Sequence, residues 1–255
     1  MVKPKKYFGQ HFLNNPHIAE KIVQSFLKYP QHFTIEIGAG TGVLTEKLIQ
    51  CLPKKKFVAI DIDEESINYL RIKFPEHSEQ FLLEDFLNSN YIQLLLSNQK
   101  TNIIGNFPYN ISSQILFKVL EHKNNVEFLI GMFQKEVAER ICSQPGNKDY
   151  GILSVLIQTF YKTSYLFTVN EGSFNPPPKV KSAVISLENK HFQLPVSEKL
   201  FFDVVKTAFQ QRRKTLRNSL KKWSSTITLP YLDKRPEQLH FEQFIELTSI
   251  IEKNL

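Results

Sequence analysis

Short apolar segments alternate with longer amphipathic ones between residues 33 and 135, and this alternation constrains the fold more than any other feature. The apolar segments are rich in β-branched and aromatic residues and predict strands at Thr34–Ile37, Phe57–Ile60, Gln80–Leu83, Asn102–Ile104 and Glu127–Met132. The segments between them have helical spacing, at Val43–Cys51, Glu64–Phe74, Asn90–Leu96 and Ser112–Glu121. Strands that alternate with helices in this way predict βαβ units, and therefore an α/β fold with a parallel sheet.

The pattern changes twice after residue 160. Residues 161–187 are strand-like, but three consecutive prolines, Pro176–Pro178, interrupt them. Because proline cannot join a central ladder, these prolines predict a stiff loop between two strands. Residues 196–255 have helical patterns and no convincing strand. We therefore predict two domains, an α/β domain at residues 1–188 and a small all-helical C-terminal domain at residues 189–255.

The charge of the chain favours an acidic partner. The 255 residues carry a net charge of +7, and residues 190–255 hold 12 Lys/Arg against 7 Asp/Glu, which is +5 of that total. Such a balance favours nucleic acid ahead of an anionic membrane, although a basic surface kept for solubility would explain the charge equally well.

Nothing in the sequence predicts export, a membrane span or a metal site. Residues 1–7 are basic but no apolar core follows them, and no stretch approaches the roughly 18 apolar residues of a membrane helix. The two cysteines, Cys51 and Cys142, lack zinc-ligand spacing and lie in apolar helical contexts, so we expect both to be buried. We expect a cytoplasmic monomer without a metal.

Small and polar residues follow the first four predicted strands in succession. Gly38 follows the first strand, Asp61 the second, Asp85 the third and Asn106 the fourth. Parallel sheets bind ligands in the crevice beyond the carboxyl ends of their strands. These four residues are therefore expected to surround one site.

The segment Glu36–Gly42 carries glycine at alternate positions, including Gly38 and Gly40. Its spacing differs from the dinucleotide fingerprint, whose last gap is one residue longer. The Glu36 carboxylate would repel a pyrophosphate but would favour a cofactor that carries an amino acid and a sulfonium. The arrangement therefore predicts S-adenosylmethionine as the cofactor.

Two carboxylates complete the predicted cofactor site. Asp61 is placed to accept hydrogen bonds from both ribose hydroxyls, and Asp85 to accept from the adenine amino group, with Phe86 near the base. The alternative is a glycine-rich helix N-terminus in which Asp61 and Asp85 are ordinary turn residues.

The sequence Asn106-Phe107-Pro108-Tyr109 supplies neutral hydrogen-bond acceptors beside an aromatic ring. An adenine amino group is a poor nucleophile because its lone pair is delocalised into the ring. The Asn106 side-chain oxygen and the Phe107 carbonyl can hold both N–H bonds, so that the lone pair turns toward a methyl donor. Pro108 stiffens the turn and Tyr109 offers a ring for stacking. Taken alone, these residues also fit a turn that caps a helix at Ser112.

A base inside a duplex cannot reach such a turn, so the target must be flipped out or unpaired. Phe174, two residues before the first of the prolines, is placed to cover the face of the base opposite Tyr109. Core packing is the alternative for Phe174, because the chain has 21 phenylalanines.

The segment Gln210–Lys222 contains six basic residues and no acidic one. On a helix, Phe209, Leu216 and Leu220 would share an apolar face and most of the charges would point outward. Solvated helices normally mix both signs of charge, so the absence of acids favours contact with RNA phosphates over a merely solvated surface. The predicted RNA-binding residues are Arg212, Arg213, Lys214, Arg217, Lys221 and Lys222.

Together these motifs resemble the small-subunit ribosomal RNA adenine dimethyltransferases over almost the whole chain. The segments that carry the resemblance are Tyr7–Leu13, Glu36–Gly42, Asn106–Ser112, Gln134–Glu136, Tyr150–Ser154, Phe174–Val184 and Phe209–Leu220. The last two are the most diagnostic, because methyltransferases at large lack them. The chain departs from the family pattern at His11, where Asn is usual, at Asp61, where Glu is commoner, and at Phe107, where Leu or Ile is usual.

The resemblance implies a Rossmann-like, S-adenosylmethionine-dependent methyltransferase sheet with a helical RNA-binding C-terminal domain. It implies transfer of two methyl groups to N6 of each of two adjacent adenosines in a terminal hairpin loop of small-subunit (16S) ribosomal RNA. The implied partner is that RNA or a 30S assembly intermediate, late in ribosome biogenesis. The family's cofactor positions correspond here to His11, Leu13, Gly38, Asp61, Asp85 and Asn106.

Two other functions stay open. The large-subunit adenine methyltransferases that confer antibiotic resistance share the donor loop and the Asn-X-Pro-Tyr turn, but the match at Gln211–Leu220 favours the small-subunit enzymes. A non-catalytic RNA-binding assembly or transcription factor of the same fold would be expected to show decay in the glycine loop or at Asn106. The sequence shows none.

Overall fold

The structure is a computed structural model that describes residues 2–255, apart from the side chain of Lys6. Its α-helices are α1 (Pro16–Phe26), α2 (Thr45–Cys51), α3 (Glu64–Lys73), α4 (Asn90–Asn98), α5 (Ser112–Glu121), α6 (Lys135–Cys142), α7 (Ile152–Phe160), α8 (Glu198–Gln210), α9 (Leu216–Ser219), α10 (Lys221–Ser224) and α11 (Phe241–Glu252). Its strands are β1 (Phe12–Leu13), β2 (Phe33–Ile37), β3 (Phe57–Asp61), β4 (Phe81–Leu83), β5 (Thr101–Asn106), β6 (Val126–Gln134), β7 (Tyr161–Val169), β8 (Phe174–Asn175) and β9 (Ser182–Asn189). From β2 to β6 the predicted elements are confirmed, with ends that agree within two residues.

Seven of the strands form one sheet in the order β4-β3-β2-β5-β6-β9-β7. The strands from β4 to β6 pair in parallel, whereas β9 runs antiparallel to β6. The predicted α/β fold with a parallel sheet is therefore confirmed. The order of the strands reverses between β2 and β5, and such a switch point opens a crevice at the carboxyl ends of the strands.

The core lies along the central strands. Parallel strands covered on both faces are apolar throughout, and Ile35, Ala59, Ile103 and Ile104 are accordingly buried. Helix α1 adds buried side chains from its apolar face, and it begins where the Asn15 side chain accepts from two backbone N–H groups. This core holds the strand ends rigidly, which is what a site built on them requires.

The described chain forms two compact units. One contains the chain up to Ala138 together with Ser164–Asn189, and the other contains Glu139–Thr163 together with Lys190–Leu255. The sequence pattern did not indicate that Glu139–Thr163 groups with the C-terminal helices. The division into domains at residues 188 and 189 stays a prediction.

Three further expectations concern single features. Cys51 is exposed at the end of α2, so the expectation that it is buried is wrong, because α2 ends there and its last turn faces solvent. Within residues 2–255, none of the helices has both the length and the apolar character that crossing a membrane requires. The same residues contain no cluster of three or more His, Cys, Asp or Glu side chains suited to a metal ion.

Candidate active site

A pocket lies beyond the carboxyl ends of β2, β3 and β5, at the switch point of the sheet. Four segments form its walls: Phe8–Phe12, Gly38 with Gly40, Asp61 with Ile62, and Asn106–Tyr109. A smaller pocket shares several of these residues and also reaches Leu13 and Glu36. The structure thus brings together His11, Leu13, Gly38, Gly40, Asp61 and the predicted Asn106–Tyr109 turn.

The glycine loop exposes bare main chain to the pocket. Gly38 and Gly40 have φ angles of +73° and +54°, a region that side-chain-bearing residues rarely adopt. A Cβ on Gly40 would lie 2.9 Å from the Phe12 ring, and one on Gly38 would lie 3.4 Å from the Asn106 carbonyl oxygen. The Gly38 N–H donates to the Ile60 carbonyl at 2.9 Å, which holds the loop against β3. A ligand can therefore approach the backbone closely here.

Asp61 is buried at the end of β3 and is held by backbone donors. One of its oxygens accepts from the Gly40 N–H and the other from the Asp63 N–H, each at 2.9 Å. Burial raises the pKa of Asp61, and these backbone hydrogen bonds oppose the rise. Because a carboxylate oxygen can accept more than one hydrogen bond, Asp61 keeps acceptor capacity for hydroxyl groups in the pocket.

Glu36 is a fully buried carboxyl group with one unpartnered oxygen. It is 1% exposed, and its Oε2 atom has no hydrogen-bond partner among the described residues. Burial raises the pKa of Glu36 to about 8, with Thr45 opposing the rise and the Asp61 carboxylate adding to it. Glu36 lines the smaller pocket, so an arriving positive charge would find an uncompensated carboxyl group there.

Asn106 is oriented by the N-terminal segment. Its Nδ2 donates to the main-chain carbonyl of His11 at 2.9 Å, which leaves Oδ1 as the acceptor at the pocket. The next N–H, of Phe107, donates to the Met132 carbonyl at 3.2 Å and extends the β5–β6 pairing by one residue. The Phe107 ring is buried edge-on against Phe133, with ring centroids 5.0 Å apart.

Asp63 holds the N-terminal segment, a role that the sequence analysis missed. Its carboxylate forms an ion pair with Lys5 and accepts from Gln10 Nε2 at 3.0 Å. It also caps α3 by accepting from the Glu65 N–H. Burial alone would raise the pKa of Asp63, but the hydrogen bonds from Lys5 and Gln10 outweigh it and hold this pKa below its usual value. Two features of the sequence could have indicated this role: Asp63 lies two residues after Asp61, and Gln10 lies within the segment Tyr7–Leu13.

Three predicted residues lie elsewhere. The Asp85 carboxylate accepts from the Leu87 N–H at 2.9 Å and from Asn88 Nδ2 at 2.7 Å, and the neighbouring Phe86 is buried. Phe174 is buried in the core and pairs with Leu13 between β8 and β1. None of the three lines either pocket. Their roles toward the cofactor and the target base stay predictions.

The basic segment Gln210–Lys222 is not one helix, and that interpretation is wrong. Helix α8 ends at Gln210, residues 211–214 form a turn, and the short helices α9 and α10 follow. The first N–H groups of α9 donate outside the segment, from Leu216 to the Lys234 carbonyl and from Arg217 to the Leu232 carbonyl. These tertiary hydrogen bonds replace those that a continuous helix would make. Leu216 and Leu220 are nevertheless buried, as expected.

All six basic side chains of this segment are exposed, but they fall into two groups. The paired trio is bound within its own unit, with Arg212 donating to the Tyr150 carbonyl at 3.1 Å, Arg217 to Asp233 at 2.7 Å and Lys222 to Asp203 at 2.8 Å. Arg213, Lys214 and Lys221 form the free trio, whose side chains make no hydrogen bond or ion pair with the part of the chain that the structure describes. The free trio is available to an outside partner.

Comparison with known proteins is consistent with this geometry. The chain matches the family model described as Ribosomal RNA adenine dimethylase over residues 1–250. A relative from Flavobacterium johnsoniae, named Ribosomal RNA small subunit methyltransferase A, is 52% identical, with 98% of this chain and 97% of the relative covered. A relative of the same name from Parabacteroides distasonis is 49% identical, with 100% and 96% covered.

Solved structures are similar over nearly the full length. A dimethyladenosine transferase from Plasmodium falciparum has a TM-score of 0.77 at 28% identity, with 93% of this chain and 96% of that chain covered. The 23S rRNA methyltransferase ErmE has a TM-score of 0.70 at 22% identity, with 93% and 99% covered, and it shares the fold. With the family model matched over almost all of its residues, the chain belongs to the ribosomal RNA adenine dimethylase family.

Proposed function

We propose that this chain transfers methyl groups from S-adenosylmethionine to N6 of two adjacent adenosines in a terminal hairpin loop of small-subunit (16S) ribosomal RNA. The observation that carries the proposal is the orientation of Asn106, whose nitrogen is held by His11 so that its oxygen is the acceptor at the pocket. Relatives named Ribosomal RNA small subunit methyltransferase A support the choice of RNA. The enzyme acts as a monomer in the cytoplasm, late in assembly of the 30S particle.

The residues of the pocket fit S-adenosylmethionine. Gly38 and Gly40 leave the main chain open to it, and Glu36 at the smaller pocket compensates its positive charge. Asp61 would accept hydrogen bonds from its ribose hydroxyls, and Asp85 would accept from its adenine amino group, with Phe86 near the base. When bound, the cofactor supplies a methyl group attached to a positively charged sulfur.

The Asn106–Tyr109 turn prepares the target amine. Asn106 Oδ1 and the Phe107 carbonyl accept the two N–H bonds of N6, which frees the nitrogen lone pair without a proton-abstracting base. Pro108 limits movement of the turn, Tyr109 stacks on one face of the base, and Phe174 covers the other. Orientation of this kind can lower a barrier by roughly 7–11 kcal/mol. The proton leaves afterwards, because the methylated nitrogen is cationic and acidic.

A wide apolar cavity adjoins the pocket and fits an unpaired base. It shares His11 and Tyr109 with the cofactor pocket and is bounded by Pro176–Pro178 and Val180. The RNA backbone is held by the basic segment, in which Arg213, Lys214 and Lys221 contact phosphates directly. Arg212, Arg217 and Lys222 contact phosphates only when they exchange their present partners for them, so they contribute less. A base that enters the cavity must be unpaired or flipped out, which favours a hairpin loop over a duplex as the substrate.

The choice of RNA is tested with isotopically labelled donor. We expect label in small-subunit assembly intermediates, at two adjacent adenosines, and almost none in large-subunit RNA. Mass spectrometry of the digested RNA identifies the modified nucleotide. Label confined to large-subunit RNA would defeat the proposal in favour of the resistance methyltransferases.

The role of Asn106 is tested by Asn106→Ala. Removing the acceptor should lower the rate of methyl transfer about 10²- to 10³-fold, as does loss of one preorganised group elsewhere. RNA binding should stay within a few-fold of the parent. Asn68→Ala, on the exposed face of α3, is the matched control. Unchanged transfer by Asn106→Ala would refute the assigned role, and a parent that binds RNA but transfers nothing would favour the non-catalytic factor.

A further inference from the structure

His11 lies where the cofactor pocket meets the wider cavity. It lines the first together with Asn106 and Asp61, and it lines the second together with the prolines of the loop after β8. Its main-chain carbonyl is occupied by Asn106 Nδ2. The main chain of His11 therefore orients Asn106, and its side chain takes no part in that hydrogen bond.

The His11 side chain binds the proline loop. Strands β1 and β8 pair antiparallel, with Phe12 opposite Asn175, so the same register places His11 opposite Pro176. Because proline has no N–H, Pro176 cannot donate a main-chain hydrogen bond that would extend the β1–β8 pairing. Instead, His11 Nδ1 lies 2.8 Å from the Pro176 carbonyl oxygen. A carbonyl only accepts, so Nδ1 carries the proton of this hydrogen bond.

The same ring also contacts Tyr109. The two rings stack with centroids 5.5 Å apart and planes inclined by 27°. The Tyr109 hydroxyl shares a hydrogen bond with Ser182 Oγ, at the start of β9. The Tyr109 ring is therefore held by Ser182 at its hydroxyl end and by His11 across its face.

We propose that His11 is a positioning residue for the RNA base. Its Nδ1–H fixes the proline loop at Pro176 and its ring fixes the plane of Tyr109, so one side chain sets two walls of the cavity. The inference rests on the proposed function and extends that function by assigning recognition of the unpaired adenine to the His11 side chain. The His11 main chain meanwhile orients Asn106, so the proposed role of the side chain is distinct from that of the main chain.

Three substitutions separate the two contacts. His11→Asn keeps a donor at the δ position without the ring, His11→Phe keeps a ring without the donor, and His11→Ala removes both. We expect each of the first two to raise the RNA KM about 5- to 10-fold, as loss of a single modest contact does. His11→Ala should raise it about 25- to 100-fold if the two contacts act independently. The Kd for S-adenosylmethionine, measured by calorimetry, should stay within about twofold, because the main chain is retained.

A binding measurement makes the inference independent of turnover. The probe is a hairpin RNA with 2-aminopurine at the target adenosine, whose fluorescence is quenched when the base stacks on Tyr109. We expect quenching by the parent and at most half of it by His11→Ala at saturating protein. Unchanged quenching and an unchanged RNA KM in His11→Ala would overturn the inference. So would a loss confined to cofactor affinity, which would make the side chain a cofactor ligand.

The two proposals fail differently. A parent that does not methylate small-subunit particles contradicts the proposed function, whereas the quenching series still decides whether His11 positions a base. A parent that methylates them, with His11 variants that behave like it, contradicts the inference alone. The urea midpoint of each variant, compared with that of the parent, shows whether a change in RNA binding comes from a general loss of stability.

Discussion

Glu36→Gln should remove a loss of stability that the parent shows as the pH rises. The carboxyl group is fully buried, its Oε2 has no hydrogen-bond partner among the described residues, and its pKa is raised from 4.5 to about 8. A raised pKa means that the native protein keeps a proton that the unfolded chain releases. The free energy of unfolding that depends on this proton is fully present below pH 4.5. It falls as the pH rises and is lost once the pH has passed through 8.

The size of the loss follows from the two pKa values. At 1.36 kcal/mol per pKa unit, the shift from 4.5 to about 8 corresponds to about 5 kcal/mol above pH 8, and to about 3 kcal/mol at pH 7. Glutamine has the same shape and never ionises, so this part of the pH dependence disappears. Its amide N–H groups lack partners, however, which costs about 1–3 kcal/mol at every pH. Glu36→Gln should therefore be less stable than the parent at pH 5 and more stable at pH 9.

Urea unfolding followed by circular dichroism at pH 5, 7 and 9 measures the difference directly. Glu76→Gln makes the same chemical change on an exposed side chain and should follow the parent curve. Curves for Glu36→Gln and the parent that run parallel within about 1 kcal/mol from pH 5 to 9 would refute the reasoning, because the predicted change exceeds that margin. A positively charged cofactor favours the ionised carboxyl group, so its affinity should rise with pH in the parent more than in Glu36→Gln.

Three further predictions concern the loop, the N-terminal segment and the basic surface. Gly40→Ala should lower cofactor affinity at least about tenfold and the free energy of unfolding by about 1–2 kcal/mol, because the new Cβ would lie 2.9 Å from the Phe12 ring at a φ of +54°. Calorimetry measures both effects, and Gly172→Ala is the control because no atom lies within 4 Å of a Cβ added at Gly172. Asp63→Ala should lower the free energy of unfolding by about 1–2 kcal/mol at pH 7. Because the Asp63 pKa is lowered, this difference should be complete above about pH 4 and should shrink as the pH falls further, through the lowered pKa, in urea titrations; a difference that does not shrink at all down to about pH 2 would contradict the assignment. Replacing the free trio with alanine should reduce the slope of log RNA affinity against log salt by roughly 2–3, and replacing the paired trio should reduce it less; equal reductions would contradict the distinction.

Much of the site was predictable because parallel strands place consecutive chain segments at one edge. Gly38, Asp61 and Asn106 come at the ends of three of the first four predicted strands, and the structure brings them to one pocket. Asp85 also follows a strand, but its carboxylate is engaged by its own turn. The strand-end rule predicts which residues are near the edge, whereas local hydrogen bonds decide where each side chain points.

Contacts between distant segments were not predictable from local pattern. The ion pair of Lys5 with Asp63 and the hydrogen bond of Asn106 with the His11 carbonyl join residues 58 and 95 positions apart. No periodicity records such pairings, since each partner alone satisfies an ordinary local pattern. The same applies to the basic segment, whose helix is broken by hydrogen bonds to residues 232 and 234.

The sequence by itself determined the alternation of elements, the parallel sheet, the bare glycine loop and the acceptor-rich turn at Asn106, because these depend on periodicity and on the chemistry of single residues. Only the tertiary structure decided that Glu36 Oε2 is left without a partner, that Asp63 holds the N-terminal segment and that His11 touches both Tyr109 and Pro176. Burial and hydrogen-bond geometry are properties of the assembled packing. They exist only once segments far apart in the chain have come together.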